Sequence, residues 1–376
     1  MDYILPFMKK IIPTLFLLML VTLVFAQDGI GYFYDTSGQF YVFDKGNTYK
    51  LESGRVDSIK IGNDYLAYID AQSNLKVYRN GETKILEKYP PNIVTATAYA
   101  LVYKMEQRLM IYDRGNKQQL ASWADHFFAD DSIVVWQARP SLDIFAYWNG
   151  KITTIETATS TKVIKGGKTG RNVFAYSDLN NIFKVYYNGQ VIETKAEDIR
   201  NYKCGVDIVA FVDRFNNTFN VFENGMIKTI SSSLPQSYSV IGNVINYLDI
   251  NNNFMVYYNG KSIQLESYES IVYPTKGNIL VYYYKPQLKL FYEGKVFLLE
   301  KFIDQKELFT GINSVAYTDN SNRAKFFYNG KLYDNFLMNA PITIELYRDL
   351  PAFTYNNNTI GFLYNGKLYE YLTSSR

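Results

Sequence analysis

Apolar residues recur along this chain as adjacent pairs, about 35 residues apart, just ahead of a glycine. The pairs include Val42-Phe43, Val77-Tyr78, Val185-Tyr186, Val256-Tyr257 and Phe326-Phe327. The glycines are Gly46, Gly81, Gly115, Gly150, Gly189, Gly225, Gly260, Gly294, Gly330 and Gly366, spaced by 34 to 39 residues with no linker between copies. Successive side chains of a strand point to opposite faces. An adjacent apolar pair in every copy therefore puts an apolar residue on each face of a short sheet, and both faces need cover. Seven of the ten glycines follow Asn, and Asn-Gly is the pair best suited to the positive φ angles of a two-residue hairpin turn. Each copy thus carries one tight hairpin, with a strand entering at Phe183 to Tyr187 and leaving at Val191 to Lys195 in the fifth.

Two more strands precede each hairpin. One is apolar, as in Asn172 to Tyr176, and ends in an Asp turn such as Asp178-Leu179-Asn180-Asn181. The other is short and weaker, as in Ser58 to Ile61 and Ser239 to Ile241. Four short strands per copy, covered on both faces and repeated without a break, predict an all-β fold: a β-propeller of about ten four-stranded blades spanning residues 27–376. Two five-bladed propellers satisfy the same spacing. The first copy begins at Gly31-Tyr32-Phe33-Tyr34 without a short leading strand, while the last ends four residues after Leu372. A ring closed by strands from both termini is therefore not expected. A transmembrane barrel would need longer strands of alternating character.

This strand order resembles the bacterial propeller repeats of the WD40-like and quinoprotein-like type over residues 27–376. The Trp-Asp and Gly-His pairs of true WD40 repeats and the Trp-docking motif of quinoproteins are absent. The resemblance implies a fold and no activity.

The first 26 residues change the cellular picture. Lys9 and Lys10 precede an apolar run from Ile11 to Phe25 that ends in Val24-Phe25-Ala26, which reads as a signal peptide cleaved before Gln27. The expected location is periplasmic or extracellular, and no membrane span is expected after cleavage because the run is too short. Cleavage removes Asp2, Lys9 and Lys10 and leaves 37 basic against 35 acidic residues, a net charge of +2. That balance gives no electrostatic footprint for nucleic acid. A lone cysteine, Cys204, excludes an internal disulfide or a cysteine-based zinc site and is expected to pack as a small apolar residue.

Candidate chemistry is sparse. His126 is the only histidine, so a histidine-based triad or metal site has a single residue to build on. Asp35, Asp70, Asp178, Asp213, Asp249 and Asp319 recur at the turn after the apolar strand; without calcium-loop spacing they read as turn-stabilising groups. No catalytic residue, metal or cofactor is expected. The third and fourth copies break the Asp-turn pattern with Lys104-Met105-Glu106-Gln107 and Gln137-Ala138-Arg139-Pro140. The fourth also holds every tryptophan of the protein, Trp123, Trp136 and Trp148. Trp123, His126, Trp136, Arg139 and Trp148 are accordingly the candidate ligand-binding residues. The functional expectation is an exported, non-catalytic binding or scaffolding protein presenting a face or funnel to a protein, peptide or glycan of the cell envelope. The alternative is a carbohydrate-active enzyme that uses carboxylates in a central funnel.

Overall fold

The computed structural model describes residues 27–373 except 28, 198, 200, 276, 305, 306, 335–339 and 357, so the leader expected over residues 1–26 lies outside the described residues. The second copy shows how a blade is built. Its innermost strand, Asp57–Ile61, pairs antiparallel with Tyr65–Ile69, which pairs with Leu75–Arg79, which pairs with the outermost strand Glu82–Glu87. The turn between the third and fourth strands is Asn80-Gly81, with φ angles of 51° and 84°, the conformation for which the sequence selects Asn-Gly. Among the described residues this meander occurs ten times, nine times with four strands and once, in the first blade, with three.

The paired apolar positions explain why the blades stack. Val42, Phe43, Val77, Tyr78, Val185, Tyr186, Val256, Tyr257, Phe326 and Phe327 are all buried, as are the equivalent pairs in the other five blades. Each such side chain contributes about 1.5–3 kcal/mol when removed from water. One member of a pair faces the preceding blade and the other the following one, so no blade can bury its surface alone. The arrangement closes into one ring. Phe43 of the first blade stacks on Phe362 of the tenth, with ring centroids 4.7 Å apart and planes 6° from parallel, and Phe33 joins them over Leu350 and Ala352. Gln27, itself buried, donates from its side-chain amide to the carbonyls of Asp349 and Leu363 at 2.7 and 2.9 Å.

Polar clamps fix the angle between neighbours. Glu52, ending the outermost strand of the first blade, accepts from Tyr68 Oη at 2.8 Å and Lys76 Nζ at 2.7 Å of the second. The same Tyr–Glu–Lys arrangement recurs at Tyr176–Glu156–Lys184 and Tyr282–Glu266–Lys289. A short helix, Thr161–Gly166, capped by Ser160 Oγ and burying Val163 and Ile164, lies between the fourth and fifth blades. It accounts for the longest interval in the sequence, from Gly150 to Gly189.

Candidate functional site

The two faces of the ring differ in what forms them. One carries the turns between second and third strands and the connections between blades. The other carries the Asn-Gly hairpins and, around the axis, the turns from innermost to second strand. Those inner turns touch backbone to backbone: the amide of Asn63 donates to the Ala98 carbonyl at 2.8 Å, that of Val206 to Gly242 at 2.7 Å and that of Asn278 to Ile312 at 2.6 Å. Glycine permits the approach. A Cβ on Gly205 would lie 2.2 Å from the Gly242 carbonyl oxygen, and one on Gly277 would lie 1.9 Å from that of Ile312.

Three blades place a charged residue at one structurally equivalent position of the inner turn. In the fourth, fifth, seventh and tenth blades the inner turn has two residues, between Asp130 and Ile133, Gly170 and Val173, Ile241 and Val244, and Tyr347 and Leu350. The first turn residue is Gly242 in the seventh blade but Asp131, Arg171 and Arg348 in the others. These three side chains meet. Asp131 forms an ion pair with Arg171 of the next blade, and its Oδ1 stands 3.9 Å from Arg348 Nη2, which comes from the tenth blade. Asp131 Oδ1 also accepts the Ala98 amide at 2.9 Å, so one carboxylate ties four blades. Arg348 holds a left-handed φ of 60°, which costs an L-residue about 1–2 kcal/mol, where Gly242 has a φ of 57°.

The cluster lines a cavity of about 450 Å³ at the neck of the ring, where these inner turns converge, with Asp130, Thr275, Thr310 and apolar walls from Pro274, Ile312 and Leu346. A second cleft of about 170 Å³ shares Asp130 and Asp131 and is bounded by Tyr99, Arg114 and Trp148. The Arg114 guanidinium lies over the Tyr99 ring, 5.5 Å from its centroid. Burial pushes the Asp130 carboxyl above the usual carboxylate range, and the adjacent Asp131 charge adds to this. Burial also raises Asp349, against the donors that hold it: the amides of Ile312 and Asn313 at 2.8 and 2.9 Å and Ser314 Oγ at 2.6 Å.

The five residues singled out from the sequence do not form one site. Trp136 is buried in the fourth blade, stacked on Phe145 at 5.6 Å. Trp123 and Arg139 lie on the face opposite the neck, where the Arg139 amide donates to the Trp123 carbonyl at 3.0 Å and its guanidinium pairs with Asp125. His126 sits half-buried in a bulge of the innermost strand Ala124–Asp130. Trp148 alone reaches the charged side of the ring, as a wall of the smaller cleft. The recurring Asp residues are turn-formers, as their spacing implies: Asp70 Oδ1 accepts the amides of Gln72 and Asn74, both at 2.9 Å, and Asp178 and Asp249 repeat the pattern. Cys204 is half-buried, its thiol donates to the Lys168 carbonyl at 3.3 Å, and burial pushes it up to about 12. The neck residues are hard to read from sequence because the inner turn carries neither the Asn-Gly hairpin signature nor the Asp-turn signature. The available signal was the recurrence of Gly before an Asn or Asp there, as in Gly170-Arg171-Asn172, Gly205-Val206-Asp207 and Gly311-Ile312-Asn313, and its loss at Asp130-Asp131 and Arg348-Asp349.

Residues 24–369 match the family described as the 10-bladed beta propeller domain. No curated protein matches the sequence significantly. Among solved structures, PorZ, an essential bacterial surface component of the type-IX secretion system of Porphyromonas gingivalis, aligns over 93% of this chain and 53% of its own at 10% identity and a TM-score of 0.30. Hsv2p of Kluyveromyces lactis aligns over 75% of this chain and 99% of its own at 11% identity and a TM-score of 0.32. The computationally designed Ika8 protein aligns over 72% of this chain and 96% of its own at 14% identity and a TM-score of 0.29.

Proposed function

Because this chain belongs to the family of ten-bladed β-propeller domains, we propose that it is an exported, non-catalytic binding or scaffolding protein that presents the charged neck of its ring to a partner of the cell envelope. The observation that carries this reading is the convergence of Asp131, Arg171 and Arg348 from three blades onto one cavity. Packing alone does not call for charge at that place, where the equivalent turns of other blades carry Ala98, Val206 and Ile312. Export rests on the leader pattern of residues 1–26, and no helix among the described residues is long and apolar enough to cross a membrane. The chemistry of the neck suits recognition: two guanidiniums offer planar donor forks, and Asp131, engaged by Arg171 and the Ala98 amide, is poorly placed as a nucleophile.

One observation favours the hydrolytic alternative. A carboxyl raised by burial, Asp130, beside an ion-paired one, Asp131, is the pattern of a general acid with an ionised neighbour. The experiment that separates the readings uses the purified mature chain. Capture of one envelope partner that is lost on Arg171→Ala supports binding. Turnover of glycans or peptides that is abolished by Asp130→Asn would replace it with catalysis.

A further inference from the structure

The neck cavity holds a guanidinium with unused hydrogen-bonding capacity. Among the described residues Arg348 Nε is buried without an acceptor, and Nη2, at 3.9 Å from its ionic partner Asp131, stands beyond hydrogen-bond reach of it. A buried charged donor left without an acceptor costs about 1–3 kcal/mol or more, and a carboxylate accepting a bidentate fork removes that cost. Arg171 pairs with the Asp131 carboxylate and lines the same cavity.

The rest of the lining says what carries the carboxylate. Pro274, Ile312 and Leu346 form an apolar wall, and Thr275 and Thr310 supply hydroxyls within the same cavity of about 450 Å³. No aromatic ring lines it among the described residues, so the flat stacking platform that suits a sugar ring is missing there. Room for a few residues, an apolar wall, hydroxyls for a backbone and a free guanidinium fork match the end of an extended peptide.

We propose that the neck is a subsite for the free C-terminal carboxylate of a peptide whose last residue is apolar, with Arg348 and Arg171 taking the carboxylate and the Pro274–Ile312–Leu346 wall taking the side chain. This deepens the binding reading and rests on it. Asp131 is then a positioning residue that holds both guanidiniums toward the cavity.

The test is calorimetric titration of the full mature chain with N-acetyl-Ala-Ala-Leu as the free acid, as its C-terminal amide, and with glucuronate. The free acid should bind at least about tenfold more tightly than the amide, the loss expected when a charge-assisted fork loses its anion. Arg348→Gly should abolish that preference while folding at least as well as the parent, because the turn's left-handed φ suits glycine. Arg348→Lys, which keeps charge but not the fork, should recover only part of it. Equal binding of acid and amide, no binding of either, an unchanged preference in a folded Arg348→Gly variant, or binding of glucuronate in place of the peptide would each overturn the inference. Retention of an envelope partner in the face of such a result would leave the broader binding reading standing.

Discussion

Asp131 and Arg348 stand in the fourth and tenth blades of one ring, at the same position of the same two-residue turn, and face each other across its axis at 3.9 Å. Equivalent positions in a closed ring are brought together by symmetry of the fold. Opposite charges there convert that geometry into a link between blades that share no sheet.

Removing the Asp131 carboxylate should be costly. Asp131→Ala leaves Arg171 facing a buried gap and frees the Ala98 amide, so stability should fall by about 3 kcal/mol, read as a lower urea midpoint at unchanged slope. Asp131→Asn, which keeps an acceptor for Ala98, should lose less.

The inner belt tolerates no added carbon where backbones touch. Gly205→Ala should destabilise by about 1–3 kcal/mol, because its Cβ would meet the Gly242 carbonyl at 2.2 Å. Gly54→Ala, with nothing within 4 Å of its Cβ, should change stability by no more than about 0.5 kcal/mol. Thermal unfolding of the two variants side by side checks the contrast.

Acid should unfold the ring through its Asp turns. Burial raises the Asp70 carboxyl, but hydrogen bonds from Asn74 and Lys76 outweigh it and hold the group at about 2, and Asp178, Asp249 and Asp319 are likewise lowered. A carboxyl lowered by folding stabilises the native state above its unfolded value, near 3.9, and loses that contribution as pH falls toward the folded one. Stability measured by urea titration should therefore decline from about pH 4 downward, and Asp70→Asn should flatten that decline. Asp130 works in the opposite sense: raised by burial, it weakens the fold as pH climbs from its unfolded value through its folded one, so Asp130→Asn should remove part of that loss.

The tryptophans should separate by place. Trp136→Ala empties a fully enclosed site and should cost about 3–5 kcal/mol. Trp123, 44% exposed on the opposite face, should cost less than about 1 kcal/mol on replacement by Ala and leave peptide binding at the neck unchanged. Denaturation curves and the calorimetric titration described above check both.

The ring was legible because its signals are local or periodic. Asn259-Gly260 announces a hairpin through φ alone, Asp249 announces a turn by its own hydrogen bonds, and Val256-Tyr257 announces two buried faces through strand alternation. The neck was not, because Asp131, Arg171 and Arg348 acquire a shared meaning only once the tenth blade closes on the first and places all three around one axis. The clustering of tryptophans pointed elsewhere for a simple reason: Trp136 fills a blade interior with Phe145, so its departure from the repeat records packing volume and not a ligand.

The measurement that bears most directly on the account is intramolecular cross-linking of the doubly substituted chain Asp131→Cys with Arg348→Cys, carrying Cys204→Ser, by a short flexible bismaleimide under dilute conditions. A single closed ring with a converging neck predicts one dominant cross-linked peptide joining positions 131 and 348 in the monomer. Absence of that peptide, with both thiols shown to be reactive, would place the fourth and tenth blades in separate rings and contradict it.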